Sequence, residues 1–225
     1  MGRRRTGPTF AAYRAQTPGG GVCDWLRARA EPAWSRAVEH RFTRELATDT
    51  LPDAVYARYL VQDYVFLDVL ARLLGAAIAE APDMPPKTRL ARFLAAVTSD
   101  ENDYFLRAFD ALGVSEQTWS AAEPGPVTRR FREVMLGAAR RGYPEALAVL
   151  LPAEWIYLSW ATAARGRPPA RFYLAEWIAI HALPAFADFV GWLREEMDRV
   201  GAGLPPERQE GLAALFREIA ELEAA

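Results

Sequence analysis

The chain has 225 residues, of which 51% are hydrophobic and 25% are charged; this composition is typical of a folded protein and not of a disordered one. The formal net charge is −2, so we expect no general attraction to nucleic acid. One cysteine and two histidines exclude an intrachain disulfide, a Cys-rich metal site and a His-rich metal centre. The single lysine, Lys87, follows two prolines, which disfavours pyridoxal chemistry. We therefore expect neither a cofactor nor a metal.

The first 21 residues contain an arginine cluster that no apolar stretch follows, and glycines and prolines interrupt them up to Gly21. This pattern is not that of a secretory signal. We interpret residues 1–21 as a flexible tail and residues 22–225 as a single domain. With no signal peptide and no disulfide, the expected location is the cytoplasm.

Helical patterns dominate the rest of the chain, and no alternating apolar–polar run demands a strand. Breaks rich in proline and glycine separate the helical segments. The predicted helices span about 22–47, 53–81, 87–112, 116–121, 127–141, 144–165, 170–182, 184–200 and 205–224. No fixed-period repeat is visible, so we predict one all-α bundle of about eight helices.

One predicted helix resembles a membrane span in its composition. Residues Ala146 to Ala164 are largely apolar, and at about 1.5 Å per residue they would nearly cross a bilayer core. Pro152 and Glu154 lie near the middle of this segment, and a central carboxylate is costly in lipid. We therefore predict a buried central helix that carries one isolated acid, and no contact with a membrane.

Two acids lie on apolar faces of predicted helices. The neighbours of Asp63 at helical spacing are Tyr59, Leu60, Phe66 and Leu67. The neighbours of Glu154 at that spacing are Leu150, Tyr157 and Leu158. A buried acid costs several kcal/mol unless it is paired or hydrogen-bonded. Each acid is therefore either a structural group bonded to a distant arginine or a functional group with a raised pKa.

Aromatic residues cluster near the second of these acids: Trp155, Tyr157, Trp160, Tyr173, Trp177 and His181. In a helical protein such a cluster is usually part of the core. Beside two isolated acids, it would also suit a flat heteroaromatic ligand, because rings stack and acids bond ring nitrogens and amino groups.

A set of short motifs resembles the TenA / thiaminase-II family in order and spacing. The motifs are Tyr59-Leu-Val-Gln-Asp-Tyr, Leu150-Leu-Pro-Ala-Glu-Trp-Ile-Tyr, Trp177-Ile with His181, and Glu221-Leu-Glu. The resemblance covers about residues 33–223 and implies a haem-oxygenase-like helical bundle. It also implies a homodimer or homotetramer that acts on a small pyrimidine in thiamin salvage.

The resemblance implies roles for individual residues. Asp63 would bond the amino edge of the pyrimidine, and Tyr157 would line the pocket and support the catalytic group. Glu223 would act in proton transfer at the ring, with Glu221 as a competitor for that role. The residues expected to contact the ring are Phe66, Phe131 and His181, the last at a position where a pocket tyrosine is common.

The chain departs from the family at the position of the cysteine nucleophile, which is Ala153 here. Alanine offers no nucleophile, and Cys23 lies outside the matched motifs. A branch of the family without this cysteine is associated with hydrolysis of aminopyrimidine or formylaminopyrimidine products of thiamin breakdown. In this chain Glu154 directly follows Ala153 and becomes the candidate for proton transfer.

Three hypotheses follow. The first is a hydrolase acting on a thiamin-derived pyrimidine, in which Glu154 or Glu223 activates water. The second is a catalytically inactive relative that binds a pyrimidine or regulates through protein contacts. The third is a diiron oxidase on the same fold, which two histidines without a preceding glutamate at helical spacing disfavour.

Overall fold

The computed structural model describes residues 7–164, 166 and 168–225. Within these residues the chain forms thirteen α-helices, one π-helical turn and no strand, which confirms the predicted all-α class. The helices are α1 (Phe10–Gln16), α2 (Val22–Arg29), α3 (Ala33–Val38), α4 (Arg41–Ala47), α5 (Asp53–Glu80), α6 (Met84–Ala96), α7 (Asn102–Ala111), α8 (Glu116–Ser120), α9 (Pro126–Ala139), α10 (Tyr143–Ala163), α11 (Phe172–Ile180), α12 (Pro184–Gly201) and α13 (Pro206–Glu223), with the π-helical turn Val97–Glu101 between α6 and α7.

The helix count exceeds the predicted number of about eight for three reasons. Helix α1 lies in the predicted tail, the π-helical turn divides the predicted helix over about 87–112 into α6 and α7, and one further predicted helix is three. The segment expected to be a single helix over about 22–47 consists of α2, α3 and α4. Pro32 precedes α3, and a proline disfavours helical geometry in the residue before it. His40 starts α4 by accepting the backbone N–H of Phe42 on its Nδ1 at 3.1 Å.

The described part of the predicted flexible tail, residues 7–21, contains helix α1, which packs against α2. Thr9 caps α1 by accepting the N–H of Ala12 at 3.3 Å, and Phe10 is buried against Trp25 with ring centroids 5.6 Å apart. The indole N–H of Trp25 donates to the carbonyl of Pro8 at 2.8 Å. Residues 1–6 of the predicted tail lie outside the described residues.

Helix α10 is the central helix of the core. Its residues from Ala146 to Ile156 are all buried, and it packs against α3, α5, α9, α12 and α13. A helix that is apolar on every face is stable only when neighbours surround it. By length and composition, Tyr143–Ala163 and Phe172–Gly201 could each cross a membrane, but 72% of the most apolar window of the first is buried inside the protein. The prediction of a buried central helix is confirmed.

An ion pair between the buried Glu145 and the partly exposed Arg208 joins α13 to α10. Glu145, in the first turn of α10, is only 3% exposed. The Arg208 guanidinium on α13 donates to both of its carboxylate oxygens, at 2.8 and 2.9 Å from Nη2. The N-terminal end of a helix also favours a negative charge. This pair holds the helix that ends at Glu223 in register with the core.

We expect Arg208→Ala to lower the free energy of unfolding by about 2–4 kcal/mol, because it leaves the buried Glu145 carboxylate without its partner. The control is Arg41→Ala, which breaks an exposed pair with Glu45 and should cost under about 1 kcal/mol. Urea unfolding of both variants measures the difference. Equal losses of unfolding free energy in the two variants would show that the Arg208–Glu145 pair stabilises the fold no more than the exposed pair does.

Candidate active site

Two cavities meet around four side chains in the middle of the bundle. The first, of 410 Å³, lies among α5, α6, α10, α12 and the π-helical turn. The second, of 480 Å³, lies among α4, α5, α9, α10 and the C-terminal end of the chain. Both are lined by Asp63, Phe66, Tyr157 and Glu223. The two cavities therefore share one wall that carries two acids, a phenol and a phenyl ring.

Helix α5 supplies Asp63 and Phe66, which are one turn apart and on the same face. Tyr59, one turn earlier, forms a hydrogen bond of 2.7 Å between its hydroxyl and that of Tyr157. Burial raises the pKa of Asp63 to about 7, and a hydrogen bond from Tyr59 opposes this effect. A carboxyl with such a pKa is present in both protonation states near neutral pH.

Helix α10 supplies Ala153, Glu154 and Tyr157 to the first cavity. Glu154 is 7% exposed, and burial raises its pKa well above the ordinary value. The negative charges of Glu101, Glu223 and Asp63 raise it further, in that order. Burial also raises the pKa of the Tyr157 phenol, so this hydroxyl stays protonated and can donate a hydrogen bond.

No arginine forms an ion pair with Asp63 or Glu154 among the ion pairs of the described residues. This finding rules out, for that part of the chain, the possibility that each acid is structural and neutralised by its own guanidinium. Both carboxyl groups instead line the same cavity.

Helix α13 brings Glu223 to the wall between the cavities. Burial, followed by the negative charge of Asp63, raises the pKa of Glu223 to about 8. Glu221 is exposed, and its Oε1 lies 3.7 Å from Nε of Arg217. Of the two late glutamates, only Glu223 lines either cavity.

Two residues that were predicted to contact the ring, His181 and Phe131, line different cavities. His181 lines the first cavity, and its Nδ1 lies 2.9 Å from the carbonyl of Trp177. A carbonyl only accepts hydrogen bonds, so Nδ1 carries the hydrogen and Nε2 is left as an acceptor. Burial lowers the pKa of His181 to about 4, so the ring is neutral. Phe131 lines only the second cavity, with its ring edge towards Phe66 at 5.3 Å.

The sequence-based reasoning missed Glu101, which also lines the first cavity. Burial, and then the charge of Asp63, raises its pKa to about 8. A local signal existed, because Val97 four residues before and Phe105 four residues after are both fully buried. The neighbouring acids Asp100 and Asp103 gave this stretch the appearance of a solvated face.

The cavity residues provide chemistry without a thiol. Cys23 lies between α2 and α12, where its thiol donates to the carbonyl of Arg194 at 3.1 Å, and it lines neither cavity. Burial raises the pKa of Cys23 far above its ordinary value. Within the described residues, no three His, Cys, Asp or Glu side chains lie where they could hold a metal ion. What remains is a set of carboxyl groups whose pKa values are raised by burial.

The same cavity has groups suited to a flat ring. The buried indole N–H of Trp177, which also lines the first cavity, has no acceptor among the described residues. Together with Phe66, Tyr157 and His181, it offers aromatic surfaces and a free donor beside the carboxyl groups. Such a site suits a small heteroaromatic molecule with both donors and acceptors on its edge.

The fold and the site define a helical-bundle protein with a carboxyl-rich aromatic cavity. A family model described as "TENA/THI-4/PQQC family" matches residues 27–225, and the chain belongs to this family. The TenA resemblance seen in the motifs is thereby confirmed.

Individual relatives agree with this assignment. The chain is 27% identical over 202 residues to an aminopyrimidine aminohydrolase from Halalkalibacterium halodurans, covering 88% of this chain and 90% of the relative. It superposes on a TenA homologue from P. horikoshii OT3 with a TM-score of 0.81 at 24% identity, covering 91% and 95% of the two chains. It also superposes on a protein described as a TenA family transcription regulator from Silicibacter sp. TM1040, with a TM-score of 0.82 at 22% identity and 93% and 96% coverage. The last two similarities show the fold alone.

We expect the cavity acids to make the protein less stable as the pH rises from about 4 to about 8, while His181, whose pKa is lowered from 6.5 to about 4, opposes this trend below about pH 6.5. The pKa values of Asp63, Glu101 and Glu223 are raised in the folded state to about 7, 8 and 8. Protonation therefore favours folding, and this contribution is lost as the pH passes through the folded-state values. At pH 8, Asp63→Asn should raise the unfolding free energy on the order of 1 kcal/mol, or ~2–4 °C in Tm.

Thermal unfolding followed by circular dichroism at pH 5 and pH 8 measures this effect. The matched control is Asp68→Asn on the same helix, because Asp68 is exposed and paired with Arg72 at 2.8 Å. The expectation is contradicted if the Tm of the wild-type protein rises between pH 5 and pH 8 and the change in Tm over this range is the same in Asp63→Asn.

Proposed function

We propose that the protein is a thiamin-salvage hydrolase that cleaves the C–N bond at the exocyclic methylene of an aminopyrimidine or formylaminopyrimidine, without covalent thiol catalysis. The observation that carries the proposal is the convergence of Asp63, Glu154 and Glu223 on one aromatic cavity with no arginine partner for Asp63 or Glu154 in the described ion pairs. Relatives at 27% and 22% identity are named aminopyrimidine aminohydrolase, which supports the same chemistry.

Asp63 recognises the edge of the pyrimidine through hydrogen bonds. An aminopyrimidine presents a ring nitrogen that accepts a hydrogen bond beside an amino group that donates one. A protonated carboxyl matches this pair, because its O–H donates to the ring nitrogen and its carbonyl oxygen accepts from the amino group. The pKa of Asp63, raised to about 7, makes that protonated form available. Phe66 and Phe131, in edge-to-face contact, offer ring surfaces beside it.

Hydrolysis requires that a proton leave water and that another reach the departing nitrogen. Glu154 lies beside Ala153, at the position from which a nucleophile acts in other members of the family, and it lines the first cavity. In its ionised form it takes a proton from the attacking water while the new C–O bond forms. As the C–N bond breaks, a carboxylic acid in the cavity returns a proton to the amine, so ammonia leaves when the substrate carries a free amino group.

Glu223 and Tyr157 assist at the ring. Glu223 exchanges a proton with a ring nitrogen, because its pKa of about 8 keeps it protonated at neutral pH. The Tyr157 hydroxyl, which shares a hydrogen bond with Tyr59, orients the water or a carboxyl group. The neutral His181 offers its Nε2 as an acceptor to the same molecule.

The cellular setting completes the proposal. We place the protein in the cytoplasm as a homodimer or homotetramer that binds a small pyrimidine and neither nucleic acid nor membrane. Large apolar side chains exposed on the single chain, among them Phe172 at 43% and Leu183 at 49%, are available for contact between copies.

We expect Asp63→Ala and Glu154→Gln each to lower kcat/KM for the pyrimidine substrate by ~10²–10⁴-fold, since the first removes both hydrogen bonds to the pyrimidine edge and the second removes a proton-exchanging group. The measurement is product formation from aminopyrimidine, formylaminopyrimidine and thiamin by liquid chromatography. Asp68→Asn, an exposed change on the same helix as Asp63, should retain the wild-type rate. Circular dichroism checks that all variants are folded.

The same experiment separates the hydrolase from an inactive relative. A wild-type protein that binds a pyrimidine in calorimetry but forms no product after long incubation is the inactive or regulatory protein. Wild-type rates in both Asp63→Ala and Glu154→Gln would contradict the proposed mechanism.

We expect activity to be insensitive to thiol reagents. The thiol of Cys23 is 1% exposed and its pKa is raised by burial, and the nucleophile position is Ala153. Treatment with iodoacetamide under native conditions should leave kcat within a factor of two of the untreated rate, with labelling checked by mass spectrometry. Loss of activity in step with modification of Cys23 would point to a thiol mechanism instead.

A further inference from the structure

A break in helix geometry places an unassigned carboxyl group in the first cavity. Glu101 is the last residue of the π-helical turn Val97–Glu101, which joins α6 to α7 in one continuous helical path. A π-helical turn contains an extra residue and is often found at functional sites. Glu101 lies on the buried face of this path, between Val97 and Phe105, which are both fully buried.

Glu101 has no ion pair or hydrogen bond through its side chain in the described contacts. The titratable and charged side chains that line the same cavity come from every element packed around it: Asp63 on α5, Arg89 and Arg92 on α6, Asp100 on the turn, Glu154 and Tyr157 on α10, His181 after α11, Asp188 on α12 and Glu223 on α13. Arg89 is already paired with Asp188, and Arg92 is exposed. The carboxyl of Glu101 therefore faces other carboxyl groups without a guanidinium partner.

We propose that Glu101 and Glu154 act together as the acid–base pair of the cavity, one as the acid and the other as the base. This inference rests on the proposed function and deepens it, because it identifies the carboxylic acid that Glu154 needs as a partner. The two groups stand on different elements, the π-helical turn and α10, and line one cavity. Two carboxyl groups in a cavity of low polarity do not both ionise readily, so one proton remains on the pair.

The pair closes the proton balance of the reaction. The ionised member takes a proton from water as the C–O bond forms at the methylene carbon. The neutral member gives its proton to the departing nitrogen as the C–N bond breaks and the bonding electrons stay on nitrogen. The pair still holds one proton at the end, so the cavity returns to its starting state without any outside acid or base.

The electrostatics of the cavity agree with such coupling. Burial is the main cause that raises the pKa of Glu154, and among the charges that raise it further, that of Glu101 is the largest. The pKa of Glu101 is raised to about 8 by burial and then by the negative charge of Asp63, which lines the same cavity. Titration of the two groups is a property of the pair and not of either residue.

The first test compares Glu101→Gln with Asp103→Asn. Asp103 is two residues away, exposed, and lines neither cavity, so the two variants match in charge change. We expect Glu101→Gln to lower kcat by ~10²–10³-fold with KM changed less than about threefold, and to remove one limb of the pH–rate profile. Glu101→Asp, which keeps the carboxyl, should recover part of the rate, and Asp103→Asn should match the wild type.

A wild-type kcat and pH profile in Glu101→Gln would overturn the pair. So would a profile of unchanged shape combined with a large rise in KM, because that result describes a substrate-binding or structural residue.

The second test does not depend on turnover. Infrared spectroscopy of the unliganded protein follows the carboxylic-acid C=O band as the pH is raised. In a coupled pair, removing one carboxyl relieves the repulsion on the other, so the band should disappear at lower pH in both Glu101→Gln and Glu154→Gln, but not in Asp103→Asn. An unchanged titration in Glu154→Gln alone suffices to reject the pair if Glu101→Gln does not fold. A wild-type protein that shows the shifts but hydrolyses no pyrimidine keeps the pair and rejects the proposed function.

Discussion

The structure depends on several carboxyl groups that line the inside of the bundle and have no ion pair among the described residues. Asp63, Glu101, Glu154 and Glu223 come from four separate helical elements and line one cavity. In a medium of low polarity each prefers its protonated form, which is why burial dominates the rise in all four pKa values. Such a set is costly to a fold unless the surrounding helices are fixed by other contacts.

Those contacts come from the aromatic core and from ion pairs placed elsewhere. Acids outside the cavity have arginine partners: Asp49 and Asp53 both pair with Arg171, and Glu145 is held by Arg208. The contrast is not a shortage of cations, because the chain contains 27 lysines and arginines. Within the cavity, Asp188 is paired with Arg89, whereas Asp63, Glu101, Glu154 and Glu223 have no arginine partner among the described ion pairs. Unneutralised buried carboxyl groups are typical of a site that moves protons.

The loss of a nucleophile changes what this scaffold is able to do. Where the resemblance places a cysteine, the chain has Ala153, and the only thiol is buried between α2 and α12. In the proposed function, proton transfer among carboxyl groups replaces thiol chemistry, and Glu101 and Glu154 together supply an acid and a base. The second cavity extends the site past Phe66 and Tyr157 towards α4 and α9, which leaves room for a substrate larger than a single ring.

Local patterns in the sequence determined the helical class, the buried nature of α10 and the anomalous acids Asp63 and Glu154, because each depends only on neighbours three or four residues away. The same rule applied to Glu101, but the acids around it disguised its apolar face. Helix α1 packs against α2 through the contact between the rings of Phe10 and Trp25, and local sequence patterns do not reveal a contact between separate helices. Only tertiary packing decided that the carboxyl groups converge on one cavity. It also decided that Asp63 and Glu154 have no arginine partner among the described ion pairs. Contacts between residues far apart in the chain, such as Tyr59 with Tyr157, leave no periodic trace in the sequence.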